Sequence, residues 1–276
     1  MNPSRSVMAS AHAVLIATTV FVLFPYAWML VTSIKPVADA VAFPVRWIPQ
    51  TTTLENYTAI LSDPRFLRSV LNSTIVAVVV TTLSLALAVP AAYGLTRLVR
   101  GGGRPVLVGI LASQFFPPMV FFVPFYIILQ HAGLLNTLSG LVFAYLSVTL
   151  PICTWMVSTS LRGIPIEIEE AARVDGCTEL QVLGKVVLPI ATPGVVTAGV
   201  FSFVLSWQEY IFALLYTTTE RAQTAPVLLF YLLGQHQIDY ARLMAAAVLL
   251  SIPIAVPFAV IQRIYRSGLA EGGLKG

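Results

Sequence analysis

Six stretches of this chain are long and apolar enough to cross a lipid bilayer, and no other property of the sequence restricts the fold as severely. They lie at about Ala11–Thr32, Val70–Leu95, Val106–Leu129, Leu138–Leu161, Val187–Tyr216 and Leu243–Tyr265. About 20 apolar residues in a helix suffice to cross the hydrocarbon core. Charged residues make up only 10% of the chain, against roughly 25% in a soluble domain, and the mean hydropathy is +0.85. The expected fold is all-α, a polytopic membrane protein with six transmembrane helices. With 276 residues the spans and their loops leave no room for a separate soluble domain, so residues 1–276 read as a single transmembrane domain.

The first run exceeds the ~7–15 residues of a signal-peptide core and lacks a small-residue cleavage site after it. It therefore reads as span one, kinked or widened at Pro25. The segment from Lys35 to Arg68 is polar, with Pro36, Pro44, Pro49 and Pro64 and the boundary-seeking aromatics Phe43, Trp47, Tyr57 and Phe66. It predicts a loop with an interfacial helix at Leu54–Leu61. Span two ends in Arg97, Arg100 and Arg104 around Gly101-Gly102-Gly103. No Lys-Ser/Thr follows the glycines, so they form a turn rather than a phosphate loop. Span three holds Pro117, Pro118 and Pro124. Three prolines cannot sit in a straight helix, and the freed backbone groups need partners within protein or a wet cavity, which predicts central packing. Cys153 and Cys177 do not suggest a disulfide framework, and His12, His131 and His236 match no metal-ligand spacing.

The charged island between Arg162 and Lys185 breaks this pattern. Ile164-Pro165-Ile166-Glu167 opens a helix, with Glu167, Glu169 and Glu170 complementing its positive end. Ala171 and Ala172 leave a narrow surface, and Asp175-Gly176 ends the helix because glycine adopts the left-handed conformation at little cost. Thr178-Glu179-Leu180-Gln181 reads as a capping box for a second helix. Two short helices at a sharp corner permit close approach of another protein, and the carboxylates offer charge partners to it. An ordinary amphipathic loop with capped helices explains the same residues. The 16 Lys and Arg residues divide ten to six in favour of the side that holds both termini and this island, and the positive-inside tendency places that side in the cytoplasm.

Glu170-Ala171-Ala172-x-x-x-Gly176, nine residues, then an aliphatic residue, x, Leu188 and Pro189 resembles the signature loop of permease subunits of ABC importers. Ser33-Ile34-Lys35-Pro36, Leu54-Glu55-Asn56-Tyr57, Asn72-Ser73, Ala91-Ala92-Tyr93, Gly133-Leu134-Leu135-Asn136-Thr137 and Trp207-Gln208-Glu209-Tyr210 extend the resemblance to the carbohydrate-importer subfamily. Within it the chain is similar to the second permease of the maltose type, as are the endings Gly268-Leu269 and Leu274-Lys275-Gly276. Gln208 and Tyr210 depart from the more usual asparagine and phenylalanine. That departure bears on the substrate and leaves the family untouched.

The resemblance implies a type I ABC-importer permease fold in the inner membrane, with both termini cytoplasmic. It implies a second, different permease, two ATPase subunits and an extracytoplasmic sugar-binding protein as partners. ATP and Mg would be bound by the ATPase subunits and no cofactor by this chain. Glu170, Ala171, Ala172, Asp175, Gly176, Thr178 and Leu180 would form the coupling contact, within a loop of residues 162–187. Lys275 in the tail of 267–276 would reach the ATPases, and Gly234, Gln235, His236 and Gln237 the binding protein. Spans within 70–265 would form the core, with span one (11–32) wrapping the partner permease. Glu209 is an ionisable residue in an apolar span and so a functional candidate, with a local pairing such as Gln208 as the plainer reading. Gln208, Trp207, Tyr210, Gln114 and Tyr126 are further pathway candidates, for which helix packing competes. An ion-coupled secondary transporter would call for several intramembrane acids or an inverted repeat. An intramembrane enzyme would call for a nucleophile–base cluster at bilayer depth. A non-sugar solute such as a glycerol phosphate is a further alternative.

Overall fold

A computed structural model describes the backbone of residues 5–99, 103–234 and 238–272, and the side chains of residues 8–259 within those ranges. The chain divides into two compact units, residues 1–67 with 229–252 and residues 68–228 with 253–276. Five described helices are long and apolar enough to cross a membrane, and a bent pair makes a sixth span if counted as one.

In the first unit, α1 (Arg5–Ser33) runs through Pro25 without a break, and none of its membrane-length apolar window is buried. The loop after it is tied down by α2 (Val37–Ala40) and α3 (Glu55–Leu61), the latter on the segment expected to be an interfacial helix. Asn56 is buried and donates to the carbonyls of Ser33 and Lys35, both at 2.8 Å. These are orphan acceptors at and beyond the C-terminus of α1, and a buried carbonyl without a donor is costly. Ser33 Oγ and Tyr57 Oη share a further hydrogen bond at 2.7 Å. Lys35 is 2% exposed. Its Nζ donates to the Arg46 carbonyl at 2.6 Å and lies 4.3 Å from the centre of the Trp28 ring, a cation–π contact that offsets part of its lost hydration.

The second unit carries most of the helices. α4 (Pro64–Tyr93) passes into a π-helical turn at Gly94–Leu98. α5 (Gly103–Ala112) and α6 (Met119–His131) follow. α7 (Leu138–Arg162) leads to α8 (Ile166–Val174) and α9 (Glu179–Gln181). A second π-helical turn, Val182–Val187, opens into α10 (Leu188–Trp207), with Pro189 in its first turn. α11 (Ile211–Tyr216) comes next; α12 (Ala225–Leu233) begins in this unit and ends in the first, and α13 (Tyr240–Gly272) begins in the first and is helical into the predicted tail in this one. α7 and α10 pack closely. A methyl group on Gly194 would collide with the Ser160 side chain, and one on Gly199 would lie 2.9 Å from Leu85. Small residues let membrane helices approach in this way. One buried cluster joins α4, α7, α8, the second π-helical turn and α10 through Ala92, Val157, Ala172, Val187 and Ala191. A second joins α4, α6, α7 and α11 through Val80, Leu129, Tyr145 and Phe212.

Two expectations are corrected. Span three is not one centrally packed helix. It breaks at 116–118 into α5 and α6, bent by 95°, and most side chains from 113 to 128 face outward. Pro117-Pro118 removes two N–H donors and disfavours helical backbone before each proline. Span five is not continuous to Tyr216. α10 stops at Trp207, and three non-helical or capping residues separate it from α11.

Polar side chains at the loops fasten these helices. Asn72 donates to the carbonyls of Arg221 and Gln223, and Ser73 Oγ accepts from Ala225 N–H at the start of α12. Asn136 adopts φ 59°. Its Oδ1 accepts from Thr218 N–H at 2.6 Å, Thr218 Oγ at 3.0 Å and Thr219 N–H at 3.1 Å. Asparagine tolerates this left-handed backbone better than most residues. Asn136→Gly keeps the backbone but loses the acceptor, whereas Asn136→Ala loses the acceptor and adds about 1–2 kcal/mol of strain. Thermal unfolding in detergent should therefore rank wild type above Gly and Gly above Ala. An Ala variant as stable as the Gly variant contradicts the strain assignment.

Candidate functional site

The corner between α8 and α9 is closed by local chemistry. Cys177 N–H donates to the Ala172 carbonyl and Gly176 N–H to the Arg173 carbonyl, each at 3.0 Å. With Gly176 at φ 87°, these are the two bonds of a Schellman motif, which satisfies the last carbonyls of α8. Thr178 then starts α9 with a capping box, its N–H donating to Gln181 Oε1 at 2.9 Å. Pro165 stands at the N-cap position of α8, and Glu167 and Glu169 fall in its first turn.

The corner is fastened to the spans by charge. Glu169 is wholly buried. The Arg97 Nε in the π-helical turn donates to Glu169 Oε1 at 2.7 Å, and its Nη2 donates to the carbonyls of Leu161 and Ile164, both at 2.8 Å. One guanidinium thus neutralises a buried carboxylate and occupies orphan carbonyls at the end of α7. Arg173 Nη2 stands 3.5 Å from the other oxygen of Glu169, while its Nε donates to Glu179 at 2.7 Å. Glu179 beside it holds the Arg173 guanidinium protonated well above its ordinary range. Tyr93 Oη donates to Glu179 at 2.8 Å. The ends of α4, α7, α8 and α9 meet in this network.

What remains outward is a small surface. Glu170, Ala171, Asp175, Gly176, Thr178 and Leu180 are exposed. Leu180 is 80% and Val174 88% exposed, two apolar side chains flanking a glycine with open space around its Cα hydrogens. Ala172, expected on the narrow outer surface, instead faces inward and joins the buried cluster with Val157 and Val187. The acidic cluster, expected to serve a partner, is partly consumed within the chain, since Glu169 and Glu179 are paired internally. Arg97 likewise is not a solvated loop arginine. Its side chain is 10% exposed.

The pathway candidates separate into two groups. Gln208, Glu209 and Tyr210 line a cavity of about 470 Å³ together with Phe122, Tyr145 and Phe212. Gln114 lines a neighbouring cavity of about 260 Å³, and both cavities share Pro118, Val148 and Phe212. Trp207 lines neither cavity. It is buried and stacks on Phe203 at 6.0 Å. Tyr126 lies outside both and rests near Tyr216. Glu209 does not pair with Gln208. Its carboxylate accepts from the N–H groups of Phe212 at 2.9 Å and Ala213 at 3.2 Å, which answers the break after Trp207 by capping α11. Gly234 closes α12 through its N–H to the carbonyls of Phe230 and Tyr231. Gln235, His236, Gln237 and Lys275 lie outside the described residues. Among the described residues no group of three His, Cys, Asp or Glu side chains is placed to hold a metal. Sequence reasoning missed Arg97, Val174 and Tyr145. For Arg97 the only local signal was an arginine one turn beyond Tyr93.

Known proteins place this geometry. A family model described as "Binding-protein-dependent transport system inner membrane component" matches residues 84–270. The sulfoquinovosyl glycerol transport system permease protein SmoH of Agrobacterium fabrum is 37% identical over 92% of this chain and 89% of its own length. The trehalose/maltose transport system permease protein MalG of Thermococcus litoralis is 32% identical over 99% of this chain and 98% of its own. The crystal structure of a bacterial ABC transporter involved in the import of the acidic polysaccharide alginate includes a chain that matches with a TM-score of 0.78 at 25% identity, covering 95% of this chain and 99% of that one. The helical spans, the capped corner after α7 and the matched length agree: the chain belongs to the binding-protein-dependent transport system inner membrane components, as a multi-pass permease subunit of an ABC importer.

Proposed function

We propose that this permease serves an importer of carbohydrates or carbohydrate derivatives, forming half of the pathway beside a second, different permease. The single transmembrane domain of 1–276 would stand with both termini in the cytoplasm. Two ATPase subunits, which bind ATP and Mg, would sit beneath it, and an extracytoplasmic binding protein would deliver the solute. Support for a sugar-class solute comes from relatives named for sulfoquinovosyl glycerol and trehalose/maltose. The ion-coupled alternative finds no support in that family.

One observation carries the coupling role: the α8–α9 corner is exposed at its tip and fixed by buried charge at its base. A surface formed by Glu170, Ala171, Asp175, Gly176, Thr178 and Leu180 enters a cleft of the ATPase subunit, with Val174 added to that set. When ATP closes the ATPase dimer, force on the tip passes through Glu169 to Arg97 and the ends of α4 and α7. The spans then move as packed bodies and alternate access to the pathway. The cavity bordered by Gln208, Glu209 and Tyr210, with Gln114 next to it, contributes polar groups to that pathway. Trp207, buried against Phe203, serves packing instead, while Tyr126, 41% exposed, stays among the pathway residues. The Gly234–Gln237 loop meets the binding protein, and the tail at Lys275 approaches the ATPases.

The two neighbouring alanines separate a contact role from a packing role. Ala171→Trp should leave the permease folded and inserted while abolishing co-purification of the ATPase subunits and uptake. Ala172→Trp should lower the thermal stability of the permease itself, since overpacking a core costs about 1–3 kcal/mol. The reverse pattern contradicts the assignment of faces. For the base of the loop, Glu169→Ala leaves Arg97 buried without its partner, a loss of about 3–5 kcal/mol. Uptake should fall at least 10-fold even where the ATPases remain bound, and undiminished uptake would remove the network from the coupling path. Reconstituted transporter with its cognate binding protein tests the solute class: carbohydrate should stimulate ATP hydrolysis, and stimulation by amino acids or peptides alone contradicts the reading.

A further inference from the structure

A groove separate from the coupling corner and the pathway cavities lies between α5 and the last two turns of α7. It encloses about 290 Å³. On α5 and the 3₁₀ turn that continues it (Ser113–Phe115), it is lined at intervals of three and four residues, from Arg104 through Leu107 and Leu111 to Phe115. These positions share one helix face. On α7 it is lined by Trp155 and Arg162 with the turn between them. The two arginines stand at the same end, since Arg104 is in the first turn of α5 and Arg162 is the last residue of α7. None of the lining residues is acidic, and among the described residues neither guanidinium enters an ion pair.

Each feature has a physical consequence. Arg162 at a helix C-terminus is favourably placed against the helix dipole, whereas Arg104 at a helix N-terminus is not. An anion between them would answer both charges. Away from the arginines the groove is apolar. From Arg104 to Phe115 the α-helix and its 3₁₀ end rise about 18 Å, a little over half of the ~30 Å hydrocarbon thickness. The dimensions therefore match one leaflet, with charge at the headgroup level and apolar walls below. Trp155 is 44% exposed and lines the groove.

We propose that this groove binds an anionic phospholipid, its phosphate held by Arg104 and Arg162 and one acyl chain lying along Leu107, Leu111 and Phe115 against Trp155. The site is independent of the transported solute and acts as a lipid-sensing or lipid-anchoring position on the end of α7 that leads into the coupling corner. Basic pockets between membrane helices recognise anionic headgroups in this manner.

The test uses the assembled transporter in nanodiscs containing lipid brominated on the acyl chains, either phosphatidylglycerol or phosphatidylcholine. The emission difference between wild type and Trp155→Phe isolates Trp155. Brominated phosphatidylglycerol should quench that signal at a mole fraction lower by roughly 30-fold than phosphatidylcholine, the selectivity expected of two surface arginines. Arg104→Gln/Arg162→Gln should reduce the selectivity to near unity. Equal quenching by the two lipids in wild type, which needs no variant, overturns the proposal. So does a preference that survives the double substitution. Absence of Trp155 quenching by either lipid overturns it as well, and is the result expected if a protein partner fills the groove.

Discussion

A carboxylate with no exposure to water can stay charged only if a fixed cation answers it, and the Arg97–Glu169 pair meets that condition. Removing each ion from water costs several kcal/mol. The 2.7 Å contact, with two further hydrogen bonds from Arg97 to the Leu161 and Ile164 carbonyls, offsets that cost only in one geometry. The pair therefore does more for position than for stability. It requires the π-helical end of α4, the end of α7 and the first turn of α8 to keep one arrangement. Both π-helical turns, at Gly94–Leu98 and Val182–Val187, flank this point, and such turns recur where a helix must re-aim a functional side chain.

The exposed tip depends on that base. Gly176, Thr178 and Gln181 shape the corner through backbone capping alone, so the corner is set without contacts to a partner. Its inner wall, Ala172, belongs to the same buried cluster as Val157 and Val187. A load applied at Val174 or Leu180 thus meets a body already packed against the spans. At the other end of the unit, Asn72, Ser73 and Asn136 hold the loop from Thr217 to Ala225 by backbone hydrogen bonds, and Glu209 caps α11. Asn72, Asn136 and Glu209 fasten ends of helices, while along the flanks apolar and small residues pack and one buried polar pair, Ser84 with Thr149 at 2.8 Å, links the middles of α4 and α7.

What could be read from the sequence was what local chemistry decides. Six apolar runs announced the spans, Asp175-Gly176 the end of α8, and Thr178 to Gln181 the capping box. What could not be read depended on distant partners or on which way a helix faces. Glu169 and Arg97 are 72 positions apart, and nothing local marks either as the other's partner. Ala171 and Ala172 are chemically identical, and only the packing of α8 sends one outward and the other into the core. Pro117-Pro118 disclosed a break in span three but not a 95° turn. The apolar residues on both sides of Gln208-Glu209, which carry the run on to Tyr216, concealed the end of α10. Glu209 carried the hint, because a carboxylate there supplies the acceptor that a new helix start requires.

Hydrogen–deuterium exchange across α8 in the assembled transporter tests the central claim most directly, namely that the α8–α9 corner and the ends of the spans it is fastened to form one mechanical body. The account predicts that amides of residues 166–174 exchange slowly, at the rates of the adjoining ends of α4 and α7, and that nucleotide binding leaves this shared protection intact. Fast exchange confined to α8 while those ends stay protected, in either nucleotide state, would show a loosely tethered loop and contradict it.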